Sequence, residues 1–386
     1  MCIPYLYIRV FLGFTTYDIM NIGIIGTGGF AAFSVNAFLL AGNVRVAGAY
    51  DISPQNALKF QDQFGGKIFQ NMEDVLANPG IDLIYIATPP YLHYEQSKMA
   101  LLAGKHVICE KPAALRSEEA KELVELAKEK QLLYTVNLMQ RYNPLFIQVQ
   151  QIIEKKLLGE FVHGFFENYA ADEGLGSGHW MWDESKSGGI FIEHAVHFFD
   201  LFMGWLGEGI VVSAQKLKRP EQQREYWSRV QAVVKYEQGL VNFYHGFDQA
   251  VCLDRQELRL EFERGEITLY EWIPVRIKIH GLVNNSDLEE LKNIFKDAKI
   301  DYLDSFLGDN KKFRGRFKEF QADHKISLTA GEHVQKMERY RQMLTSMFED
   351  QMKWINDPDH TQCISGINAY SSLKMAEEAN NMAVKL

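Results

Sequence analysis

The stretch Asn21-Ile22-Gly23-Ile24-Ile25-Gly26-Thr27-Gly28-Gly29-Phe30-Ala31 sets the reading of the whole chain. An apolar, β-branched run passes into a glycine-rich turn and then into a segment free of breakers, the order strand, tight turn, helix. Gly26 suits the turn itself. Gly28 lets backbone approach a pyrophosphate, and Ala31 is small enough for the helix to lie on a sheet. The helix start adds unpaired N–H groups and a positive dipole end, both of which favour phosphate. Gly26, Gly28, Gly29 and Phe30 are therefore candidate cofactor contacts.

Outward from this turn, residues 21–140 alternate short apolar runs with helical stretches. The runs are Ile22–Ile25, Val44–Tyr50, Leu83–Ala87, His106–Cys109 and Leu133–Val136. Pro54–Phe64, His93–Ala103 and Ser117–Lys130 read as the helices between them. Strands buried on both faces look like this, and the alternation predicts a doubly wound parallel sheet. From Gly159 the rhythm changes to antiparallel strands: Phe161–Tyr169, Ile210–Leu217, Arg229–Glu237, Leu240–Phe247, Glu257–Glu263 and Glu266–Trp272. Gln238-Gly239 and Arg264-Gly265 sit where a hairpin calls for positive φ. One helix, Gly189–Trp205, interrupts the strands. Residues 285–330 read as a polar, helical surface insertion, followed by helices at Glu332–Ile355 and Ser365–Ala383.

The chain has 386 residues, 47% of them hydrophobic, enough for two packed domains. The expected division is 1–20 as an extension, 21–140 as a Rossmann dinucleotide-binding domain, and 141–386 as a substrate-binding and oligomerisation α/β domain. A formal net charge of −9 argues against nucleic acid as the main partner, which needs a concentrated basic face. Four cysteines lie far apart and form no Cys-x-x-Cys pair, consistent with a reducing cytoplasm. Met1–Ile19 is apolar but too short and interrupted to span a membrane, and it lacks a signal-peptide cleavage site. It reads as a dispensable extension or as upstream of a true start at Met20, alternatives that an intact-mass measurement separates.

Asp51 follows the second strand, about 20 residues beyond the glycine turn, where a carboxylate accepts ribose hydroxyls and repels a 2′-phosphate. NAD is favoured over NADP, and Ser53 is free to cap the Pro54 helix. Ala87-Thr88-Pro89-Pro90 closes another strand and offers Thr88 and Pro89 to the cofactor; an ordinary strand-to-helix turn with His93 on its helix is the bland alternative. Glu110-Lys111-Pro112 ends the His106–Cys109 strand, where catalytic groups gather in open α/β sheets. Near a nicotinamide, the Lys111 ammonium can hydrogen-bond a substrate hydroxyl and tune proton transfer. Gly188-Gly189 opens a second constellation, in which helical spacing puts Glu193, His197 and Asp200 on one face. His197 suits removal of a hydroxyl proton, and a carboxylate one turn away can orient it. The His-Glu-x-x-His zinc order is absent, so no metal is expected.

Together these pieces resemble the glucose-fructose oxidoreductase, inositol dehydrogenase and MocA family. Gly23-Ile24-Ile25-Gly26-Thr27-Gly28, Ala87-Thr88-Pro89, Gly104 through Glu110-Lys111-Pro112, Gln140-Arg141-Tyr142-Asn143-Pro144, and Gly188-Gly189 through His197 and Asp200 carry the likeness. It runs from Asn21 to the C-terminal helix and fits poorly over 285–330. The resemblance implies an α/β fold: a Rossmann domain, then an α/β domain with a large, mostly antiparallel open sheet that pairs subunits into homodimers or homotetramers. It implies oxidation or reduction of a sugar or cyclitol hydroxyl, with Lys111 and His197 at the reacting carbon, and a cis Lys111–Pro112 bond. Glu193 stands where the family usually has aspartate, which puts its contact with His197 in question. Arg141, Trp180, Trp182 and Asp200 are assigned to the substrate, and Glu110 and Lys111 to the cofactor. Two other functions stay open: a hydrolase or eliminase with tightly held NAD, and a non-enzymatic NAD-sensing regulator.

Overall fold

The computed structural model of the protein describes residues 19–386 apart from 173, 177, 219–225 and 332. The N-terminal extension, up to residue 18, and the expected helix start at residue 332 lie outside the described residues.

The N-terminal run is β1 (Met20–Ile25), α1 (Gly29–Leu39), β2 (Val44–Tyr50), α2 (Pro54–Phe64), β3 (Lys67–Ile68), α3 (Met72–Ala77) and β4 (Leu83–Ile86). It continues through α4 (His93–Leu102), β5 (His106–Cys109), α5 (Ser117–Lys130), β6 (Tyr134–Val136) and α6 (Pro144–Glu154). After β7 (Phe161–Tyr169) come the short α7 (Glu184–Ser187) and α8 (Val196–Leu206). The strands β8 (Ile210–Leu217), β9 (Arg229–Lys235), β10 (Leu240–Gly246), β11 (Arg255–Phe262), β12 (Gly265–Tyr270) and β13 (Arg276–Val283) follow. The last third holds α9 (Asn285–Ile294), β14 (Lys299–Ser305), β15 (Lys312–Arg314), β16 (Glu319–Gln321) and β17 (His324–Ala330). It closes with α10 (Lys336–Asn356), α11 (Gly366–Met382) and β18 (Val384–Lys385).

Packing sorts the described chain into two compact units. The first contains the run up to Tyr142, Ser177–Asp200 and Arg341–Glu377. Its sheet is parallel, in the order β3-β2-β1-β4-β5-β6, so the direction of winding reverses between β1 and β4. Ligands bind outside the carboxyl ends of strands at such a reversal. The central strands β1 and β4 are apolar because both faces are covered: Ile22, Ile24, Ile25 and all of Leu83–Ile86 are fully buried. The late segment 341–377 helps to cover α1. Phe348 stacks on Phe38 with ring centroids 4.6 Å apart, and the Thr345 hydroxyl donates to the Ala37 carbonyl at 2.9 Å. Lys111 and His197 thus belong to one compact unit, although the sequence reading placed them on separate domains.

The second unit contains Asn143–Gly176, Leu201–Tyr340 and Glu378–Leu386. Its ten-stranded sheet runs β14-β17-β13-β12-β11-β7-β10-β9-β8-β18. Pairing is antiparallel except for β7 with β10 and β8 with β18. Burial along β7 and β11 alternates, the mark of a sheet packed on one face. On the other face the aromatic and basic side chains lie against each other: Arg259 over Phe165, Arg255 over Tyr169, and Tyr169 against Tyr244.

Two expectations need correction here. The 285–330 insertion is not mainly helical. After α9 it forms β14 and β17 at the end of the large sheet and the separate β15–β16 pair. In β17 the alternation of polar with apolar residues marks the two faces of a strand, with Ile326 and Leu328 buried. The glycines at 239 and 265 do not adopt positive φ. A Cβ at Gly239 would stand 2.2 Å from the Val162 carbonyl oxygen, and one at Gly265 would stand 2.5 Å from that of His280. Close approach of a neighbouring strand, rather than turn conformation, requires glycine at both places.

Candidate active site

Four strand ends in the first unit supply the expected cofactor residues. Gly26, after β1, has φ +86°, and a side chain there would collide with the Ala87 carbonyl oxygen at 2.7 Å. Gly28 and Gly29 are different, because a Cβ on either meets nothing within 4 Å. The amino end of α1 has no side-chain cap and no acidic residue in its first turn. Open space in front of bare N–H groups fits a phosphate-bearing cofactor. Phe30, in the first turn of α1, is 40% exposed, while Ala31 is buried as helix packing requires.

Asp51, after β2, faces the glycine turn. Its Oδ2 accepts the Thr27 N–H at 2.7 Å and the Thr27 hydroxyl at 3.0 Å, and its Oδ1 accepts the Ser53 N–H at 2.7 Å. The carboxylate is thereby oriented, and Ser53 caps α2 as expected, accepting from Asn56 N–H. Thr88 and Pro89 follow β4. The Thr88 hydroxyl donates to Gln96 Oε1 at 2.5 Å. Glu110, after β5, is buried and accepts from the Tyr85 hydroxyl at 2.5 Å and from Asn137 Nδ2 at 2.8 Å. Burial raises its pKa above the ordinary glutamate value against the pull of those two donors and of Lys111. Sequence reasoning missed Tyr85 and Asn137, which lie on two different strand ends and have no local signal.

The Lys111–Pro112 peptide is cis. Lys111 Nζ donates to the Glu193 carbonyl at 2.8 Å and forms an ion pair with the Glu193 carboxylate. Sequence spacing had aimed that carboxylate at His197. The cause of the change is local: Phe191–Ala195 is a π-helical turn, and α8 begins only at Val196. The wider turn breaks the four-residue register on which the pairing rested. His197 is buried, and burial, followed by the Lys111 charge, holds its pKa well below the ordinary histidine value. It is therefore a neutral base at pH 7.

Arg141 and Asp200 are brought together in the same unit. Arg141 Nε donates to Asp200 Oδ2 at 2.8 Å and its Nη2 to Oδ1 at 2.7 Å, a two-point contact. Asp200 is fully buried, and burial raises its pKa while Arg141 opposes the rise. Trp180 and Trp182 form a short 3-10 turn leading into α7, which packs on the Pro90–Leu92 turn after Pro89. Both tryptophans are partly exposed. Among the described residues, no three His, Cys, Asp or Glu side chains gather as a metal site would need. No described helix is long and apolar enough to cross a membrane.

The family described as "Oxidoreductase family, NAD-binding Rossmann fold" matches residues 20–138, and the "GFO/IDH/MocA C-terminal domain" matches 146–268. A Glucose-6-phosphate 3-dehydrogenase of Bacillus subtilis is 30% identical over 186 residues, 47% of this chain and 52% of that protein. In five such curated relatives the match spans only 27–52% of their own length. The WlbA dehydrogenase of Bordetella pertussis, solved with NADH and UDP-GlcNAcA, superposes with a TM-score of 0.75 at 17% identity, covering 95% of this chain and 96% of that one. KijD10, a 3-ketoreductase of Actinomadura kijaniata solved with NADP, gives 0.73 at 17% identity, over 96% and 99%. Those two likenesses concern the fold. From the matches in both its halves, the chain belongs to the GFO/IDH/MocA oxidoreductase family.

Proposed function

We propose that the protein is an NAD-dependent dehydrogenase or reductase acting on a CH–OH carbon of a sugar, a sugar derivative or a cyclitol. The observation that carries this reading is the cluster of Lys111, Glu193 and His197 in the unit that holds the open glycine turn. Bound at that turn, a nicotinamide dinucleotide would supply the hydride acceptor or donor. Gly26, Gly28, Gly29 and Phe30 would hold its pyrophosphate, with Thr88, Pro89 and Glu110 completing its surroundings. The oriented Asp51 carboxylate supports NAD over NADP, since it suits ribose hydroxyls and repels a 2′-phosphate.

The chemistry assigned to the chain is proton handling. Neutral His197 accepts the proton of the reacting hydroxyl. Lys111 donates a hydrogen bond to the same oxygen and stabilises the negative charge that grows there as the proton leaves. Glu193, through its carbonyl and carboxylate, keeps the ammonium from turning to solvent. In the reductive direction the lowered basicity of His197 helps it return the proton. The named activities and bound molecules of the relatives support a sugar-type substrate. Within the chain we assign nucleotide binding to 21–140 and substrate binding and oligomerisation to 141–386. Arg141, Trp180, Trp182 and Asp200 are assigned to the substrate side, with the Arg141–Asp200 pair fixing the shape of its wall. The aromatic and arginine face of the large sheet supports a homodimer or homotetramer built on it, because interfaces are enriched in those residues. Light scattering on purified protein tests that part.

A panel of sugars, cyclitols, sugar phosphates and nucleotide sugars, followed by NADH absorbance and by glycoside release, tests the activity. Lys111→Met is expected to keep NADH affinity within about threefold and to cut turnover at least about a hundredfold. Full turnover in that variant sinks the assignment. Glycoside release without net NADH marks the hydrolase or eliminase reading. NAD binding with no turnover of any compound marks a regulator.

A further inference from the structure

We propose that His93 is a positioning residue for Lys111, its imidazole bracing together the two loops that present Thr88 and Lys111. The consequence for turnover rests on the catalytic reading of Lys111; the bracing itself does not.

His93 is the first residue of α4 and is 1% exposed. Its Nε2 lies 2.6 Å from the carbonyl oxygen of Thr88, and its Nδ1 lies 2.7 Å from that of Pro112. Thr88 follows β4, and Pro112 follows β5, the neighbouring strand in the sheet. One ring thus spans the ends of two adjacent strands. Gln96, less than one helical turn further on, accepts the Thr88 hydroxyl proton, so α4 fixes both the main chain and the side chain of Thr88. On the other side, the braced carbonyl belongs to the residue directly after Lys111. That carbonyl belongs to the Pro112–Ala113 plane, and because the proline ring locks φ of Pro112, holding it limits the freedom of the Lys111 backbone from which the side chain departs toward Glu193.

A hydrocarbon side chain of similar size would fill the space but offer no donor to the buried Pro112 carbonyl or the part-buried Thr88 carbonyl, and the loops would shift to find other partners. A neutral imidazole has one N–H and serves one carbonyl at a time; the imidazolium serves both. Burial pulls the ring below the ordinary histidine pKa; the two carbonyls oppose this, Lys111 adds to it, and Glu193 opposes it. In either neutral tautomer the ring donates to one of the two loops, and the nitrogen without a proton makes no hydrogen bond to the other carbonyl; the protonated ring donates to both.

The test compares full-length wild type, His93→Gln and His93→Leu by the rate at which trinitrobenzenesulfonate modifies Lys111, read by peptide mapping. Exposed Lys128 is the internal standard. His93→Leu is expected to speed Lys111 modification at least about tenfold, and His93→Gln, which keeps an N–H donor, to hold it within about threefold of wild type. Lys128 should not change. An unchanged Lys111 rate in a folded His93→Leu variant overturns the proposal. On any sugar that the wild type oxidises, His93→Leu should lower kcat about tenfold with KM within about twofold, and His93→Gln should restore it. Faster modification with kcat unchanged supports the brace and tells against Lys111 as a catalytic group. Should His93→Leu fail to fold, wild-type protein labelled with 15N-histidine and 13C-carbonyl decides the matter. Scalar coupling from a His93 ring nitrogen to the Thr88 or Pro112 carbonyl carbon supports the brace, and its absence from both overturns it.

Discussion

Acid should weaken the second unit through one residue, His245. It lies on β10, fully buried against Phe166, and burial pushes its pKa from the ordinary 6.5 down to about 3. The folded protein therefore binds this proton more weakly than the unfolded chain does. The stability tied to the neutral ring is complete above pH 6.5 and is lost as pH falls through 6.5 toward the folded value. At about pH 5 the unfolded histidine is protonated and the folded one is not. The gap of about 1.5 pH units, at about 1.4 kcal/mol each, amounts to about 2 kcal/mol. His245→Met removes the titration. Its packing change is present at every pH and cancels when the loss between pH 8 and pH 5 is compared with that of wild type. Buried His93 and His197 contribute to both proteins alike. Urea unfolding followed by tryptophan fluorescence at each pH gives the two losses. The variant should lose about 2 kcal/mol less than wild type; losses that agree within about 0.5 kcal/mol refute the reasoning.

Other consequences can be checked in the same way. Asp51→Ala should weaken NADH binding about tenfold or more, from the loss of charge-assisted hydrogen bonds, and narrow the gap to NADPH, as read by fluorescence titration. Arg141→Met leaves the buried Asp200 carboxylate without its ion pair and should destabilise the protein by about 3–5 kcal/mol in denaturant unfolding. The double change Arg141→Met with Asp200→Leu should recover most of that loss. Gly239→Ala drives a Cβ to 2.2 Å from the Val162 carbonyl and should lower stability by about 2 kcal/mol or more, visible in the melting temperature.

Local chemistry explains which features the sequence made legible. The β1 strand and its glycine turn were readable because an apolar run, a turn and a helix start lie side by side in the chain. Each strand of the first sheet except the two-residue β3 announced itself by a mostly apolar run, broken in β2 by the exposed Arg45, the result of cover on both faces over most of its length. β13 was missed: its alternation of Arg276, Lys278 and His280 with buried Ile277 and Ile279 resembles a polar segment when only composition is weighed. The partner of Glu193 was missed because a π turn leaves no mark in residue spacing. His93 passed as an ordinary helix residue. What it touches are main-chain carbonyls of two loops, and every residue has a carbonyl, so no residue type betrays the contact.

The stacking of Phe348 on Phe38 has a consequence for how the protein is made. The first unit is assembled from three stretches of chain, the last ending at Glu377. While a ribosome is still adding the large sheet, α1 has emerged but the residues that cover its apolar face have not. Domains usually fold in the order of their synthesis. Here the unit that begins first can be completed only after all but the last nine residues of the other, Glu378–Leu386, have been translated, and until then Phe38 waits for its cover. A fragment ending near residue 140 remains in that waiting state. Expressed alone, it should bind the apolar dye ANS where the full chain does not.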